Sequence, residues 1–431
     1  MQQKSADNLK LGWLHRAVHQ TFLSLRTRNF RLYFTGQIIS NTGNWLTNIA
    51  LTLLVLHLTK SGLAVGILAA CQYGPILLFS AYAGAIADQS DKRKLLIVTQ
   101  ILEMLQSIGL AIFAFIPHPP LAGLYALAIA GGLFLAFDNP LRRSFVSEMV
   151  PESDLPNAVV LYSTIVNFSR ILGPVIAGLL VVVAGYGWCF TLDALSYVAV
   201  LISLFKMRAA ELYRKKPSPR TKGAVRAGLS YVFHTPSLLI NFAMLTAIGL
   251  LTYNFNITLP IFVTRALHGS DATYTLLYAA LSVGAVVTAL FVARRSTVRM
   301  RHIIIGAMLL GITTLLLGLV STVGLAFPII VLVGAASIMY TTATTALAQL
   351  ETRADMRGRV LALQTVILIG PTAVGGPILG WIADQFGSRS PLILGGVASI
   401  VTASIGYLVF RRMAYTTAGQ KAPAVLSDDI G

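Results

Sequence analysis

Long apolar segments recur along the whole chain, and they constrain its fold more than any other feature. A helix needs about 20 apolar residues to cross a bilayer. We mark twelve segments of this length, at 30–56, 62–87, 94–116, 121–141, 156–183, 188–207, 237–263, 272–293, 302–321, 325–349, 358–383 and 390–410. Charged residues make up only 11% of the chain, whereas soluble domains use about 25%. The sequence therefore predicts an all-α membrane protein with twelve transmembrane helices.

The basic residues fall on one side of this predicted helix array. All but four of the 33 Lys and Arg residues lie in the two tails or in the loops after even-numbered segments. The four are Lys60, Arg170, Arg265 and Arg389. Cytoplasmic loops are enriched in Lys and Arg, so we expect both termini in the cytoplasm. A nucleic-acid-binding protein would concentrate its charge on one soluble surface, so the net charge of +17 predicts no nucleic-acid partner.

A polar linker divides the chain into two parts that repeat. Gly84 and the basic residues after it recur 200 positions later as Gly284 and its basic residues, and Asp154 recurs 201 positions later as Asp355. Such duplication is typical of transporters with a site between the halves. We predict two pseudo-symmetric six-helix bundles. The predicted parts are a cytoplasmic tail with an amphipathic helix (1–26), the first bundle (27–207), a cytoplasmic linker (208–236), the second bundle (237–411) and a cytoplasmic tail (412–431).

A dense charged stretch follows the second apolar segment. Gly84 and Asp88 are four residues apart and share one helix face, which combines a close-packing position with a carboxylate. Lys92 and Arg93 follow. The basic residues by themselves are explained equally well by a role in fixing the orientation of the chain in the membrane. The Gly and Asp favour a contact that forms in one conformation and breaks in another.

These residues resemble motif A of the major facilitator superfamily. Gly173 and Pro174 in segment five, after Arg170, resemble its antiporter motif. The chain is most similar to the third drug:proton antiporter group, which includes enterobactin exporters and macrolide efflux proteins. The resemblance implies the superfamily fold and a monomer.

The resemblance also implies roles for the charged stretch. Asp88 would latch the halves at the cytoplasmic side, and Lys92, Arg93 and Asp138 would form a charge relay. This chain departs from the motif, because Asp91 replaces a Gly and Lys92 replaces an Arg. The superfamily's buried Arg of segment four has no counterpart in residues 121–137.

Polar side chains form a stripe on the first segment. Gln37, Asn41, Asn44, Asn48 and Thr52 are spaced three or four residues apart and share one helix face. The stripe is explained either by a cavity wall or by hydrogen bonds between helices; five residues in register favour the cavity. Further cavity or substrate candidates are Tyr162, Asn167, Arg170, Asn256, Tyr278 and Thr344.

Ionisable residues inside the segments are functional candidates by default, because burial in a membrane is costly. A proton-coupled carrier needs a carboxyl that changes protonation between its two states, and Glu103 and Asp138 are the candidates. The alternatives are a neutral or Arg-paired Glu103 and an Asp138 that only pairs with Arg142 or Arg143. Arg170 either holds an anionic substrate or bridges to an acid. Candidate packing and bending positions are Gly173, Pro174, Gly178, Gly376 and Pro377.

The sequence favours a secondary active exporter of lipophilic or amphipathic molecules, drug-like or siderophore-like, driven by protons through alternating access. The alternative is a proton-coupled uptake carrier for a small nutrient. We find no ATP-binding loop and no metal-binding cluster, so we expect no enzyme activity, cofactor or metal. The expected partners are a small-molecule substrate, protons and the lipid bilayer, and the expected location is the bacterial inner membrane.

Overall fold

The computed structural model describes residues 21–214, 224–292, 299–353 and 355–420, without the side chains of some helical residues, of which Asp88 is one. These residues form helices joined by short turns, with no strand among them. A chain inside a bilayer must satisfy its backbone hydrogen bonds within each segment, and the α-helix does so. The expected amphipathic helix of the tail falls mostly on residues 1–20, outside the described part.

Six long helices form the N-terminal half. They are α1 (Arg28–Thr59), α2 (Gly62–Gln89), α3 (Lys92–Phe115), α4 (Leu121–Met149), α5 (Leu155–Val183) and α6 (Tyr186–Lys206). Side-chain caps support two of the turns. Ser61 Oγ accepts a hydrogen bond from the Ala64 amide at 3.3 Å, and Asp91 Oδ1 accepts one from the Lys94 amide at 3.2 Å. These caps satisfy amides that the first turn of a helix leaves without a partner.

The linker contributes one short helix, and the C-terminal half contains eight. They are α7 (Ala224–Phe233) in the linker, then α8 (Pro236–Leu251), α9 (Phe255–Ala266), α10 (Asp271–Val292), α11 (Met300–Leu319), α12 (Val323–Glu351), α13 (Arg357–Ile369), α14 (Pro371–Phe386) and α15 (Ser390–Gln420). Two predicted segments are each built from two helices. The chain breaks between α8 and α9 at residues 252–254, and α13 meets α14 at Gly370, just before Pro371.

The two halves use the same helix pairs. In the N-terminal half α1 packs against α5 and α6, α2 against α4, and α3 against α4 and α6. In the C-terminal half α8 packs against α14 and α15, α10 against α12, and α11 against α12 and α15. Each pair in the first list has a counterpart in the second, which confirms the predicted arrangement of two pseudo-symmetric bundles.

The surface of the bundle is apolar. Leu78, Val183 and Leu290 are 74%, 75% and 68% exposed, which suits lipid rather than water. Among the described residues, eleven helical stretches are long and apolar enough to cross a membrane. Helix α1 is not one of them, although its 32 residues suffice in length, because the polar stripe lowers its hydropathy. With α1 the structure contains the twelve predicted spans.

Two helix pairs form most of the contact between the halves, α2 with α14 and α5 with α10, and α9 and α13 add smaller contacts with α1 and α2. We call the end of the bundle where α2, α4 and α6 finish the linker end, and the opposite end the distal end. At the distal end, a side chain added to Gly62 or Gly66 would overlap the backbone of α14, and one added to Gly178 would overlap Thr275 of α10. Near the linker end, Gly84 has open space around it. The halves therefore touch at the distal end and separate toward the linker end.

Candidate functional site

A cavity of about 840 Å³ lies between the halves, and most of its wall belongs to the N-terminal half. Asn41, Asn44 and Asn48 of the α1 stripe line it, so this face of α1 points toward the cavity. Among the described residues of the C-terminal half, Thr345 and Gln349 of α12 line the cavity. They lie near the linker end, so the cavity extends in that direction.

The ends of the α1 stripe are buried beside the cavity. Gln37 is fully buried and Thr52 is 4% exposed. Gln37 accepts a hydrogen bond from Asn41 Nδ2 at 2.9 Å through its side-chain oxygen, and Asn44 accepts one from the Tyr197 hydroxyl at 2.8 Å. The stripe therefore both lines the cavity and joins α1 to its neighbours.

Three buried ionisable residues meet in the cavity wall. Glu103 of α3, Asp138 of α4 and Arg142 of α4 line the cavity and are 3% exposed or less. Arg142 forms an ion pair with Asp138, one turn earlier on the same helix, and another with Glu103 Oε2 at 3.3 Å. Its Nη1 also donates to Gln37 Oε1 at 2.6 Å. One guanidinium thus connects α1, α3 and α4.

Neutral donors complete this charged cluster of Glu103, Asp138 and Arg142. Gln100 Nε2 donates to Asp138 Oδ1 at 2.8 Å and to Glu103 Oε2 at 3.0 Å, and Thr99 Oγ1 donates to Asp138 Oδ1 at 3.1 Å. Buried charges are costly unless they are paired and hydrogen-bonded. Two carboxyls share one guanidinium here, so the cluster carries one excess negative charge when both are ionised and none after it binds one proton.

A further buried carboxylate, Asp193 of α6, is held by hydroxyls. Its Oδ2 accepts hydrogen bonds from Thr47 Oγ1 and Ser107 Oγ, both at 2.7 Å. Asp193 is 1% exposed and does not line the cavity, whereas Thr47 does. The hydroxyl of Thr47 therefore separates this carboxylate from the cavity.

The basic residues of the proposed relay bind elsewhere in the N-terminal half. Lys92 Nζ forms a buried ion pair with Glu148 Oε1 at 2.6 Å. Arg93 donates to the carbonyls of Leu204 and Phe205 at the end of α6, at 2.9 and 3.3 Å. The structure thus does not bring either residue to Asp138. The side chain of Asp88 lies outside the described residues.

Asp384 joins the halves at the distal end. This residue of α14 accepts hydrogen bonds from Ser61 Oγ at 2.8 Å and from the amides of Gly62 and Leu63 at 2.8 and 2.9 Å, all at the start of α2. Arg265 Nη1 donates to the same carboxylate at 2.8 Å. A carboxylate at a helix N-terminus is stabilised by the free amides and by the helix dipole.

Two more contacts close the distal end. Arg265 also donates to the carbonyl of Lys60 in the other half. The Tyr186 hydroxyl at the start of α6 donates to Asp271 Oδ2 at the start of α10, at 2.6 Å. These contacts, with the glycine packing described above, make the distal end the closed end of the structure.

The remaining substrate candidates divide between the cavity wall and the layer behind it. Tyr162 and Asn167 line the cavity. Asn256 donates to the hydroxyl of Tyr73, a lining residue, at 3.3 Å, while Thr344 is fully buried. The Tyr278 ring packs on that of Trp45, another lining residue, with centroids 5.9 Å apart. Arg170 lies over the Trp45 ring, with Cζ 5.8 Å from the centroid.

The glycine and proline candidates occupy tight contacts. A side chain at Gly173 would overlap Trp45, and one at Gly376 would press on Gly66 and Ile257. Helix α5 continues through Pro174, and α14 continues through Pro377. These positions therefore lie where helices approach closely.

Sequence reasoning named Arg142 only as a possible partner of Asp138 and missed its burial, and it missed Asp384. The predicted segment four ends at residue 141, but α4 extends to Met149 and buries Arg142; the signal was its spacing of four from Asp138. Asp384 was not singled out, although Gly380 and Asp384 repeat the spacing of Gly84 and Asp88. Both signals were visible in the sequence but needed the helix boundaries or the partner helix to be interpreted.

The fold and its central cavity define a membrane transporter rather than an enzyme. Residues 19–424 match the MFS_3 family of transmembrane secretion effectors, so the chain belongs to this family of the major facilitator superfamily. It is a multi-span protein of the inner membrane.

Curated relatives share about a quarter of the sequence. The staphyloferrin A transporter of Staphylococcus aureus is 24% identical over 396 residues, which is 89% of this chain and 96% of the relative. The enterobactin exporter EntS of Escherichia coli is 24% identical over 360 residues, 81% of this chain and 84% of the relative.

Solved structures share the fold at lower sequence identity. A bacterial homologue of the human lysosomal transporter Spinster has a TM-score of 0.71 and 15% identity, covering 90% of this chain and 98% of its own. A POT family transporter in complex with a thioalcohol conjugated peptide has a TM-score of 0.74 and 13% identity, covering 90% and 96%.

Proposed function

We propose that this protein exports a siderophore-like organic molecule in exchange for protons by alternating access. The observation that carries the proposal is the charged cluster of Glu103, Asp138 and Arg142 in the cavity wall. The substrate class is suggested by the names of two relatives, a staphyloferrin A transporter and an enterobactin exporter.

The charged cluster supplies the proton chemistry. Two carboxyls that share a site resist being ionised together, and Arg142 balances one of the two charges. A proton that enters from the distal side neutralises the second carboxyl and weakens its hold on Arg142. Release of this proton at the linker end restores both contacts. The cluster thus changes its charge and its hydrogen bonds once in each cycle.

The linker end faces the cytoplasm in this proposal. The support is the concentration of Lys and Arg in the tails and in the loops at that end, as expected for cytoplasmic loops. The cavity that extends toward the linker end is then accessible to molecules made inside the cell. Importers also open to the cytoplasm in their cycle, and export is favoured over nutrient uptake by the name of one relative, the enterobactin exporter EntS.

Alternating access requires the two ends to exchange their contacts. Asp384 ties α14 to the start of α2 at the distal end. Asp88 lies at the opposite end of α2, so a latch there would form when the distal contacts break. The open space at Gly84 supports a linker-end contact that is broken in this state. Asp88 as a latch remains a proposal.

The function is tested with the purified protein in liposomes. A panel of radiolabelled siderophores and lipophilic drugs is offered under an imposed pH gradient, with and without a protonophore. We expect the gradient to drive accumulation of at least one siderophore and the protonophore to abolish it. If the rate of transport does not depend on the pH gradient, proton exchange is excluded. If drugs are transported and no siderophore is, the proposed substrate class is excluded.

A further inference from the structure

Arg170 is a cation without an acid partner at the junction of the two halves. It lies in the middle of α5, and no ion pair or hydrogen bond joins it to a carboxylate among the described residues. Its Nε is buried and has no hydrogen-bond partner. A charged residue at this depth in a membrane protein is costly and indicates a function.

Aromatic side chains from both halves surround this guanidinium. Trp45 of α1 lies beneath it, and the hydroxyl of Tyr278 on α10, whose ring packs on that of Trp45, accepts a hydrogen bond from it. The phenol of Tyr253, just after α8, is within electrostatic range of the guanidinium. Trp45 and Tyr73 bring this group to the wall of the cavity. The guanidinium therefore sits behind the cavity wall, in a ring of flat apolar surfaces.

The break in the seventh span is part of the same group. Tyr253 lies in the non-helical residues between α8 and α9. Non-helical backbone at membrane depth is tolerated where it is covered by protein or lines a cavity, and such breaks mark substrate sites in transporters. An unpaired cation, aromatic rings and a helix break thus converge at one place.

Arg389 makes a similar cation–π contact but has a structural role, and it serves as a comparison for Arg170. Its guanidinium also lies over an aromatic ring, that of Phe262, at 5.7 Å. However, it donates to the carbonyls of Gly318 and Val320 at 3.1 and 2.5 Å. Arg389 therefore binds two backbone carbonyls of the protein itself, whereas Arg170 has the Tyr278 hydroxyl as a partner and a buried Nε that has none.

We propose that Arg170 forms, with Trp45, Tyr253 and Tyr278, a subsite for an organic anion, namely a carboxylate attached to an aromatic ring. The guanidinium binds a planar carboxylate through charge-assisted hydrogen bonds, and the aromatic side chains bind the ring. The subsite rests on the proposed export function and names the chemical class of its substrate. Because Arg170 is next to α10, binding also neutralises a charge where the two halves meet.

The test compares two ligands of equal shape, the anion 2-naphthoate and its neutral analogue 2-naphthamide. Binding to the purified full-length protein in lipid nanodiscs is measured by equilibrium dialysis. We expect the wild type to prefer naphthoate by about tenfold, the effect of one charge-assisted hydrogen bond. Arg170→Gln should reduce naphthoate binding to the level of naphthamide, and Arg170→Lys should keep part of the preference. The matched control Arg389→Gln should keep all of it.

Four outcomes overturn the subsite: no preference in the wild type, an unchanged preference in Arg170→Gln, an equal loss in Arg389→Gln, or loss of both ligands in Arg170→Lys as well as Arg170→Gln. Naphthamide binding reports whether each variant is folded, and the fourth outcome would mean that Arg170 is structural. The export function is tested separately, by measuring siderophore transport driven by a pH gradient. A wild type that transports siderophores but shows no anion preference overturns the subsite alone.

Discussion

The two halves of this protein share their helix pairs but not their buried chemistry. Within the described residues, all the buried Asp, Glu, Lys and Arg side chains belong to the N-terminal half: Lys92, Glu103, Asp138, Arg142, Glu148 and Asp193. The C-terminal half buries neutral groups such as Asn241, Thr344 and Gln364. The position 200 residues after Glu103 is Ile303, fully buried. The duplicated packing therefore does not depend on the buried charges, which are confined to one half.

The largest expected effect is on stability, from Arg142→Gln. This change leaves Glu103 and Asp138 buried without a cation, and breaking a buried ion pair costs about 3–5 kcal/mol. The matched change in the neutral half is Thr344→Val, which removes one hydrogen bond to the Thr341 carbonyl and should cost about 1 kcal/mol. Thermal unfolding of both purified variants checks the contrast. If the two variants lose similar amounts of thermal stability, the charged cluster contributes no more to stability than a single neutral hydrogen bond.

The second largest effect is expected from Gly178→Val, which tests the contact between the halves. The added side chain would overlap Thr275 of α10, and overpacking costs about 1–3 kcal/mol. We expect a lower unfolding temperature and slower transport. Gly74→Val is the control, because Gly74 has open space around it. If Gly178→Val is as stable and active as Gly74→Val, the halves are not packed together at this point.

A smaller effect is expected from Asp384→Asn, which weakens the main polar contact between the halves. The amide keeps the size of the side chain but loses the ion pair with partly exposed Arg265. Such pairs contribute up to about 1 kcal/mol, so we expect a two- to fivefold shift toward an open distal end. Pulsed electron paramagnetic resonance between spin labels at Leu58 and Phe386 measures this shift. Arg389→Gln, at the same end, should leave the distances unchanged, and an unchanged distribution in Asp384→Asn would remove its role in closing that end.

The sequence predicts the fold more fully than the site. The lengths of the apolar segments, the placement of the basic residues on one side of the membrane and two repeated motifs are enough to predict twelve spans in two halves. These patterns can be recognised within short stretches of sequence. The pairing of Arg142 with Glu103 depends on how α3 meets α4, and the contact of Asp384 with Gly62 joins residues 322 positions apart. Neither pairing follows from spacing within one helix. The breaks at residues 252–254 and at Gly370 likewise depend on neighbouring helices that satisfy the freed backbone groups.

The central claim is that the charged cluster in the N-terminal half couples transport to protons. The most direct measurement is transport by Glu103→Gln in liposomes, using a siderophore that the wild type carries. Exchange of labelled for unlabelled substrate at equal pH is compared with accumulation driven by a pH gradient. We predict that Glu103→Gln keeps the exchange and loses the gradient-driven accumulation. Full gradient-driven accumulation by this variant would contradict the account.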